Sequence, residues 1–172
     1  MLYVTHAVDE VARLADTLVV MQDGRIQAHG PVAEVLTHTH SPLAQGDDAG
    51  ALLMGEVVQR DTAWHLAQVG FAGGALWVRD SGLSIGQRVR LRVLARDVSV
   101  TREQARQTSI QNHLPCVIDA ITPDAHPSQV LLRLLCGETV LLSRITARGA
   151  HDLGLQVGMR AWAQVKSVAV VK

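Results

Sequence analysis

Two stretches of the sequence are versions of each other, and that repeat narrows what the chain can fold into more than any other feature. Residues 82–93 read Gly-Leu-Ser-Ile-Gly-Gln-Arg-Val-Arg-Leu-Arg-Val, and residues 154–165 read Gly-Leu-Gln-Val-Gly-Met-Arg-Ala-Trp-Ala-Gln-Val, with five identities in twelve at an offset of 72 residues. Each copy is a glycine-bounded turn followed by an alternating run, the pattern of a strand with one face buried. A turn-plus-strand unit recurring at that spacing implies two related β modules, or two halves of one composite barrel. In the first copy Val89, Leu91 and Val93 share one face and Arg88, Arg90 and Arg92 the other, which reads as a solvated basic face.

The surrounding segments are also β-rich. Residues 55–60, 64–71 and 75–79 are short strand candidates ahead of the first copy. Beyond Thr108 the pattern resumes with strands near 114–121, 129–135 and 139–145, a short helix at 147–153, and strands near 160–166 and 168–171. Three strands, a helix and two strands is the order of a small OB-like barrel. Trp64, Trp77 and Trp162 sit in apolar, strand-like contexts and read as core residues. Cys116 and Cys136 read as two reduced core thiols, with no second pair to form a zinc site, and no metal ligands are assigned.

Residues 1–46 have a different character. Leu2, Tyr3 and Val4 form a short apolar run, and Val8, Val11, Ala12 and Ala15 follow at helical spacing with Asp9 and Glu10 in the first turn. Residues 18–21 read as a buried-type strand, Asp23-Gly24 as a tight turn and 25–28 as a return strand; Pro31 then opens a helix running to about Leu36. Residues 37–50 are rich in His, Ser, Pro, Asp and Gly without periodicity and read as a linker, the first place for a protease to cut. The division that follows is 1–46, 47–106 and 107–172. A segment with strands but few partners is expected to be mobile, swapped or paired with another copy.

Charge and hydropathy exclude several functions. Sixteen basic and sixteen acidic residues cancel without long runs of either sign, so a broad nucleic-acid footprint is absent. With only five aromatic residues, the chain also lacks the stacking platforms of a single-strand binder. Apolar runs of a few residues fall far short of the roughly 20 that cross a bilayer, and the N-terminus shows no secretory pattern. The expectation is a soluble, cytoplasmic protein.

Tyr3-Val4-Thr5-His6, then residues 15–30 from Ala15-Asp16-Thr17 through Asp23-Gly24-Arg25 to His29-Gly30, resemble the switch-histidine end of ABC-transporter ATPase domains. The resemblance covers about the first 36 residues. A histidine at the C-terminal end of a parallel strand faces the crevice where phosphates bind, and the resemblance gives that role to His6. ATP and magnesium need a loop of the form G-x-x-x-x-G-K-[ST] and an acidic strand end; no such loop occurs here, Gly70 to Gly74 lacking the Lys-Ser or Lys-Thr. His6 would therefore serve catalysis, with ATP and magnesium, only in a longer parent ATPase. Alone, the chain is expected to hydrolyse nothing, as a truncated gene product or an expressed fragment of that parent.

The last 65 or so residues resemble the Mop (TOBE-type) domain, the molybdate-binding OB-like module of molybdate-transporter ATPases and of small molybdate-binding proteins. The matching residues are Ser109-Ile110-Gln111-Asn112-His113-Leu114, Ser143-Arg144-Ile145-Thr146, Leu153-Gly154-Leu155 with Gly158, and Ala163-Gln164-Val165-Lys166-Ser167-Val168. Together the two resemblances imply a mainly β fold, an OB-like Mop/TOBE barrel preceded by an α/β remnant of an ABC ATPase domain. A tetrahedral dianion such as molybdate or tungstate must be met by amides, hydroxyls and cations, since its desolvation is otherwise prohibitive. Ser109, Lys166 and Ser167 supply such groups, and Gln111 stands where the family often has an arginine. The family's ITxxS motif reads Ile145-Thr146-Ala147-Arg148-Gly149, a second departure that removes a hydroxyl.

The resemblance further implies a homodimer and, in the longer parent, a membrane-embedded transporter subunit as partner and a position on the inner face of the membrane. Two alternatives remain open on the sequence: a barrel that only pairs ATPase subunits, and a free-standing cytosolic molybdate-binding or storage protein. Residues 47–106 carry no oxyanion motif and are assigned no ligand.

Overall fold

The computed structural model describes residues 1–171, so the last residue of the 107–172 segment lies outside the described residues. Among the described residues, twelve strands, three short α-helices and two 3-10 turns follow one another. The N-terminal segment consists of α1 (Val8–Leu14), the hairpin β1 (Thr17–Gln22) and β2 (Arg25–Pro31), and α2 (Val32–Leu36). The Asp23-Gly24 turn has positive φ at both residues (51° and 73°), the conformation the dipeptide signals. The apolar run at Leu2–Val4 forms no strand. Such a run needs a neighbouring strand to satisfy its backbone, and it has no pairing among the described residues.

The first repeat belongs to a five-stranded sheet and the second to another. β3 (Gly50–Asp61), β4 (Leu66–Phe71), β5 (Gly74–Arg79) and β6 (Arg88–Leu94) lie in the order β6-β3-β4-β5. β8 (Asn112–Pro123), β9 (Gln129–Cys136), β10 (Thr139–Thr146) and β11 (Arg160–Val165) lie in the matching order β11-β8-β9-β10, with α3 (Ala147–Asp152) between β10 and β11. The fifth strand of each sheet comes from the other half. β7 (Val98–Thr101) pairs with β11, and β12 (Ala169–Val171) pairs with β6. The internal repeat is thus a structural pseudo-twofold in which the two halves exchange their last strands.

The correspondence extends to single hydrogen bonds. Val57 donates to the Gln87 carbonyl at 2.9 Å and accepts from Gly86 at 2.8 Å; Ile118 donates to Met159 at 2.9 Å and accepts from Gly158 at 2.7 Å. Gly86 and Gly158 are repeat-related and both have positive φ, 84° and 87°, which a side-chain-bearing residue adopts at a cost. Val57 and Ile118 are fully buried beside these turns.

Inward-facing residues of both sheets form one continuous core, from Ala51, Val69, Leu76 and Leu91 to Leu132, Leu134, Leu141 and Ala163. At one place the backbones touch: a Cβ on Gly73, at the β4–β5 tip, would stand 2.2 Å from the carbonyl oxygen of Cys136, at the β9–β10 tip. Cys116 and Cys136 are free and buried. They are neighbours rather than isolated residues, because Val117 pairs with Leu135 and the two thiols follow on each strand. Their mutual hydrogen bond and burial push the Cys136 thiol far up.

Four local expectations are overturned. Arg90 and Arg92 are not solvated: Arg92 is 8% exposed and Arg90 half-buried, and of the three only Arg88 lies open. Residues 37–50 are packed rather than loose, with Thr37, Ser41, Ala44 and Ala49 buried. Their hydroxyls are satisfied locally, Thr37 Oγ1 donating to the Ala33 carbonyl at 2.9 Å and Ser41 Oγ accepting from Leu43 N–H, which is how polar residues enter an interior. The strand expected over 64–71 begins at Leu66, because Trp64 lies in the turn ahead of it and is 77% exposed. The first strand of the barrel begins at Gly50 rather than Gly55.

Candidate functional site

Strand pairing sets the geometry of the motif ends. β8 and β11 are antiparallel, with Gln164 opposite His113 and Val165 opposite Asn112. Past that last pair one chain continues into Lys166-Ser167 and the other runs back into Gln111-Ile110-Ser109. The four residues Ser109, Gln111, Lys166 and Ser167, far apart in sequence, therefore lie at one end of one strand pair, and all four are exposed.

Five hydrogen bonds hold this end. The Lys166 N–H donates to the Asp97 carbonyl at 2.8 Å, tying the strand end to the segment entering β7. Ile110 N–H donates to Thr108 Oγ1 at 3.1 Å, and His113 Nε2 meets the Ile110 carbonyl at 2.5 Å, folding the 108–113 loop on itself. Asn112, buried, reaches across to β5: its Oδ1 accepts from the Trp77 N–H at 2.7 Å and its Nδ2 donates to the Trp77 carbonyl at 2.9 Å. Gln111 then borders an open depression shared with Asp61, Trp64, Leu66 and Trp77. Asn112 is the residue sequence reasoning passed over; its place inside the Ser109–Leu114 motif was visible, but its partner in the other half was not.

The pseudo-twofold supplies an internal comparison. Ala51 pairs with Val93 as Asn112 pairs with Val165, and Gly50 pairs with Leu94 one position further out. The positions that correspond to Ser109, Gln111, Lys166 and Ser167 are thus Asp48, Gly50, Leu94 and Ala95. An acid, an apolar side chain and two small residues offer a dianion no cation and no side-chain hydroxyl. Only the second half carries the donor set.

His6 lies elsewhere, exposed, just ahead of α1. Thr5 Oγ1 accepts from the Ala7 N–H at 3.1 Å and hydrogen-bonds the Glu10 carboxylate, which Tyr3 also reaches at 3.2 Å. The Thr5 hydroxyl is the main cause holding the Glu10 carboxyl below the usual range. Among the described residues no cluster of three or more His, Cys, Asp or Glu suited to a metal ion occurs, and no helix is long and apolar enough to cross a membrane.

A β-barrel of OB-like character built from exchanged halves, with hydroxyl, amide and amine groups at one strand end, defines the class. Residues 108–171 match the TOBE domain family. The fold is shared with a crystal structure of the cytoplasmic molybdate-binding protein ModG with molybdate bound, at a TM-score of 0.57 and 23% identity, covering 70% of this chain and 95% of that one.

The chain is 49% identical over 171 residues to the molybdenum import ATP-binding protein ModC of Methylococcus capsulatus, covering 99% of this chain and 48% of that protein. For the protein of the same name in Thiobacillus denitrificans the identity is 51% over 170 residues, with 99% and 47% covered. In Pseudomonas aeruginosa it is 42% over 172 residues, with 99% and 48% covered. Nearly the whole of this chain is therefore similar to these ATP-binding proteins, and it spans about half the length of the curated relatives it matches.

Proposed function

We propose that this chain is the regulatory, oxyanion-binding C-terminal portion of a molybdate-import ABC transporter ATPase, and that it binds molybdate or tungstate through Ser109, Gln111, Lys166 and Ser167. The observation that carries the reading is the Asn112–Val165 pairing, which gathers these four residues at one strand end in the half that matches the TOBE family. Their absence from the corresponding positions of the other half argues that the set is more than generic strand-end polarity. Lys166 is the cation, the two serines are hydroxyl donors, and the Gln111 amide replaces a charge. The exposure of all four suits a site completed when two copies pair, which is the second part of the proposed role. Acting at the inner face of the membrane beside a transporter subunit, the longer ATPase would use His6 with ATP and magnesium. The present chain would bind and hydrolyse no nucleotide.

The test is calorimetric titration with molybdate, with sulfate as competitor. Wild-type chain is expected to saturate, and Lys166→Ala to weaken binding by about ten- to a hundredfold, the equivalent of roughly 1.5 to 3 kcal/mol for a charge-assisted contact. Unchanged molybdate affinity in Lys166→Ala would sink the site assignment. A wild-type chain that binds neither anion at millimolar concentration would leave pairing as the barrel's role.

A further inference from the structure

α1, the helix that begins two residues after His6, is seven residues long and has no side-chain N-cap. Isolated helices of that length do not persist in water, because nucleation costs more than a single turn or two returns. Its order must come from what it touches. Part of that is apolar: Ala12 is buried with Val32, Leu36 and Leu52, and Val8, Val11 and Val171 pack around them. Part is polar, with the Tyr3 and Thr5 hydroxyls on Glu10 and a pair of arginines on β6.

Arg90 meets the end of the helix. Its Nη1 donates to the Ala15 carbonyl at 2.8 Å and to those of Ala12 and Arg13 at 3.4 and 3.5 Å, while Nη2 pairs with Asp16. A guanidinium there satisfies carbonyls that the helix leaves unbonded and opposes the negative end of its dipole. Arg92 meets the other end. It pairs with Asp9, in the first turn, and donates to the Asp48 carbonyl at 3.0 Å. Asp9 is three residues from His6, so the two arginines grip the helix at both ends and fix the point from which the histidine projects.

Two further facts set these arginines apart from ordinary surface charge. The repeat places Trp162 and Gln164 at the corresponding positions of β11, so only the half that faces α1 presents cations. The strand carrying them is also backed by β12, with Val171 opposite Arg90 and Ala169 opposite Arg92. The base of the grip is thus a paired strand inside a sheet rather than a free edge.

We propose that Arg90 and Arg92 are positioning residues for His6, a charged latch by which the barrel holds the helix behind the switch histidine. This rests on the reading of His6 as the switch residue of a longer ATPase. Because Asp9 and Asp16 are exposed while the arginines are largely covered, the ion pairs are open to screening and the bonds to backbone carbonyls are not. High salt weakens the latch without abolishing it.

The experiment has two arms. In this chain, amide exchange over residues 8–16 is followed by mass spectrometry for wild type, Arg90→Ala, Arg92→Ala and Arg92→Lys. The alanine variants should exchange about tenfold faster there, with residues 112–165 unchanged and Arg92→Lys largely restored. In the longer ATP-binding subunit, the same alanine variants should lower kcat about fivefold with KM for ATP unchanged, since a displaced group costs rate more than ground-state binding, and Arg92→Lys should recover most of it. Unaltered exchange over 8–16 overturns the latch. Faster exchange with unaltered kcat overturns the positioning role. If His6→Ala leaves hydrolysis intact, the proposal falls with the reading beneath it, and that case is recognised by an exchange arm that still responds.

Discussion

The side chain of Asn112 hydrogen-bonds both backbone groups of Trp77, accepting from its N–H at 2.7 Å and donating to its carbonyl at 2.9 Å. An amide side chain here does what the next strand of a sheet would do, closing the outer edge of β5. It also fixes the start of β8, from which the Ser109–Gln111 loop departs.

Asn112→Ala removes both bonds and strands two backbone groups of Trp77 in a half-buried place. The expected loss is about 2 to 3 kcal/mol, measured as a shift in urea midpoint at unchanged slope. If the proposed oxyanion site is correct, molybdate affinity falls in the same variant although no proposed ligand has been touched. A stable Asn112→Ala protein with wild-type affinity would show that the loop is positioned by other means.

Gln111 borders Asp61, Trp64 and Trp77. Restoring a charge by Gln111→Arg should raise molybdate affinity by about tenfold, one charge-assisted contact. The neighbourhood competes for it, since Asp61 and the faces of the two tryptophans also attract a guanidinium. The double variant Gln111→Arg with Asp61→Asn should therefore bind more tightly than Gln111→Arg alone. Equal affinity in all three proteins would place the anion away from position 111.

Asp80 organises the turn that opens the first repeat. Its carboxylate accepts from the Gly82 and Leu83 N–H groups at 2.9 Å each and from Arg60 Nε at 2.8 Å. The Leu83 amide first, and Arg60 next, hold its carboxyl below the usual range. A carboxyl depressed in the folded state stabilises fully above its unfolded pKa, about 3.9, and that contribution is lost as pH falls through the lower folded value. Asp80→Asn should thus be less stable than wild type at neutral pH, with the gap closing below about pH 4. Thermal unfolding across pH 3 to 7 reads this directly; a gap that stays constant would mean the ionised form contributes nothing.

What the residues disclosed and what they withheld divide along physical lines. Period-2 alternation located nearly every strand, and the repeat disclosed the pseudo-symmetry, because both are local signals. Alternation names the face of a strand but not what covers it. Arg90 and Arg92 were correctly put on one face of β6 and wrongly given to water, since α1 arrives there from 74 or more residues away. β7 escaped notice because a four-residue strand has too few positions to show a period. Polar composition misjudged residues 37–50 for a related reason: Arg144 of β10 reaches the carbonyls of Ala44 and Gly46 at 3.0 Å and Asp124 beside them, and that anchor lies about a hundred residues on. The site residues came from the family resemblance, while their shared strand end follows only from the register of β8 with β11.

Strand exchange makes the last prediction. Each half lends the other its final strand: β7 covers the edge of β11 through Thr101 opposite Trp162 to Val98 opposite Val165, and β12 covers the edge of β6. The inner faces of both sheets share one core, and Gly73 and Cys136 bring the two hairpin tips into backbone contact. A fragment of residues 107–172 keeps the whole TOBE match yet loses β7 and the apolar face of the opposite sheet, leaving an open edge and exposed core, which are hazards for folding and solubility. It should show no cooperative thermal transition, and neither should residues 1–106. Mixed in equal amounts, the two should recover strand signal and a single transition, because every missing pairing is supplied by the other piece. An isolated 107–172 fragment that unfolds cooperatively at the midpoint of the intact chain would show that the exchanged strands decorate the halves and do not complete them.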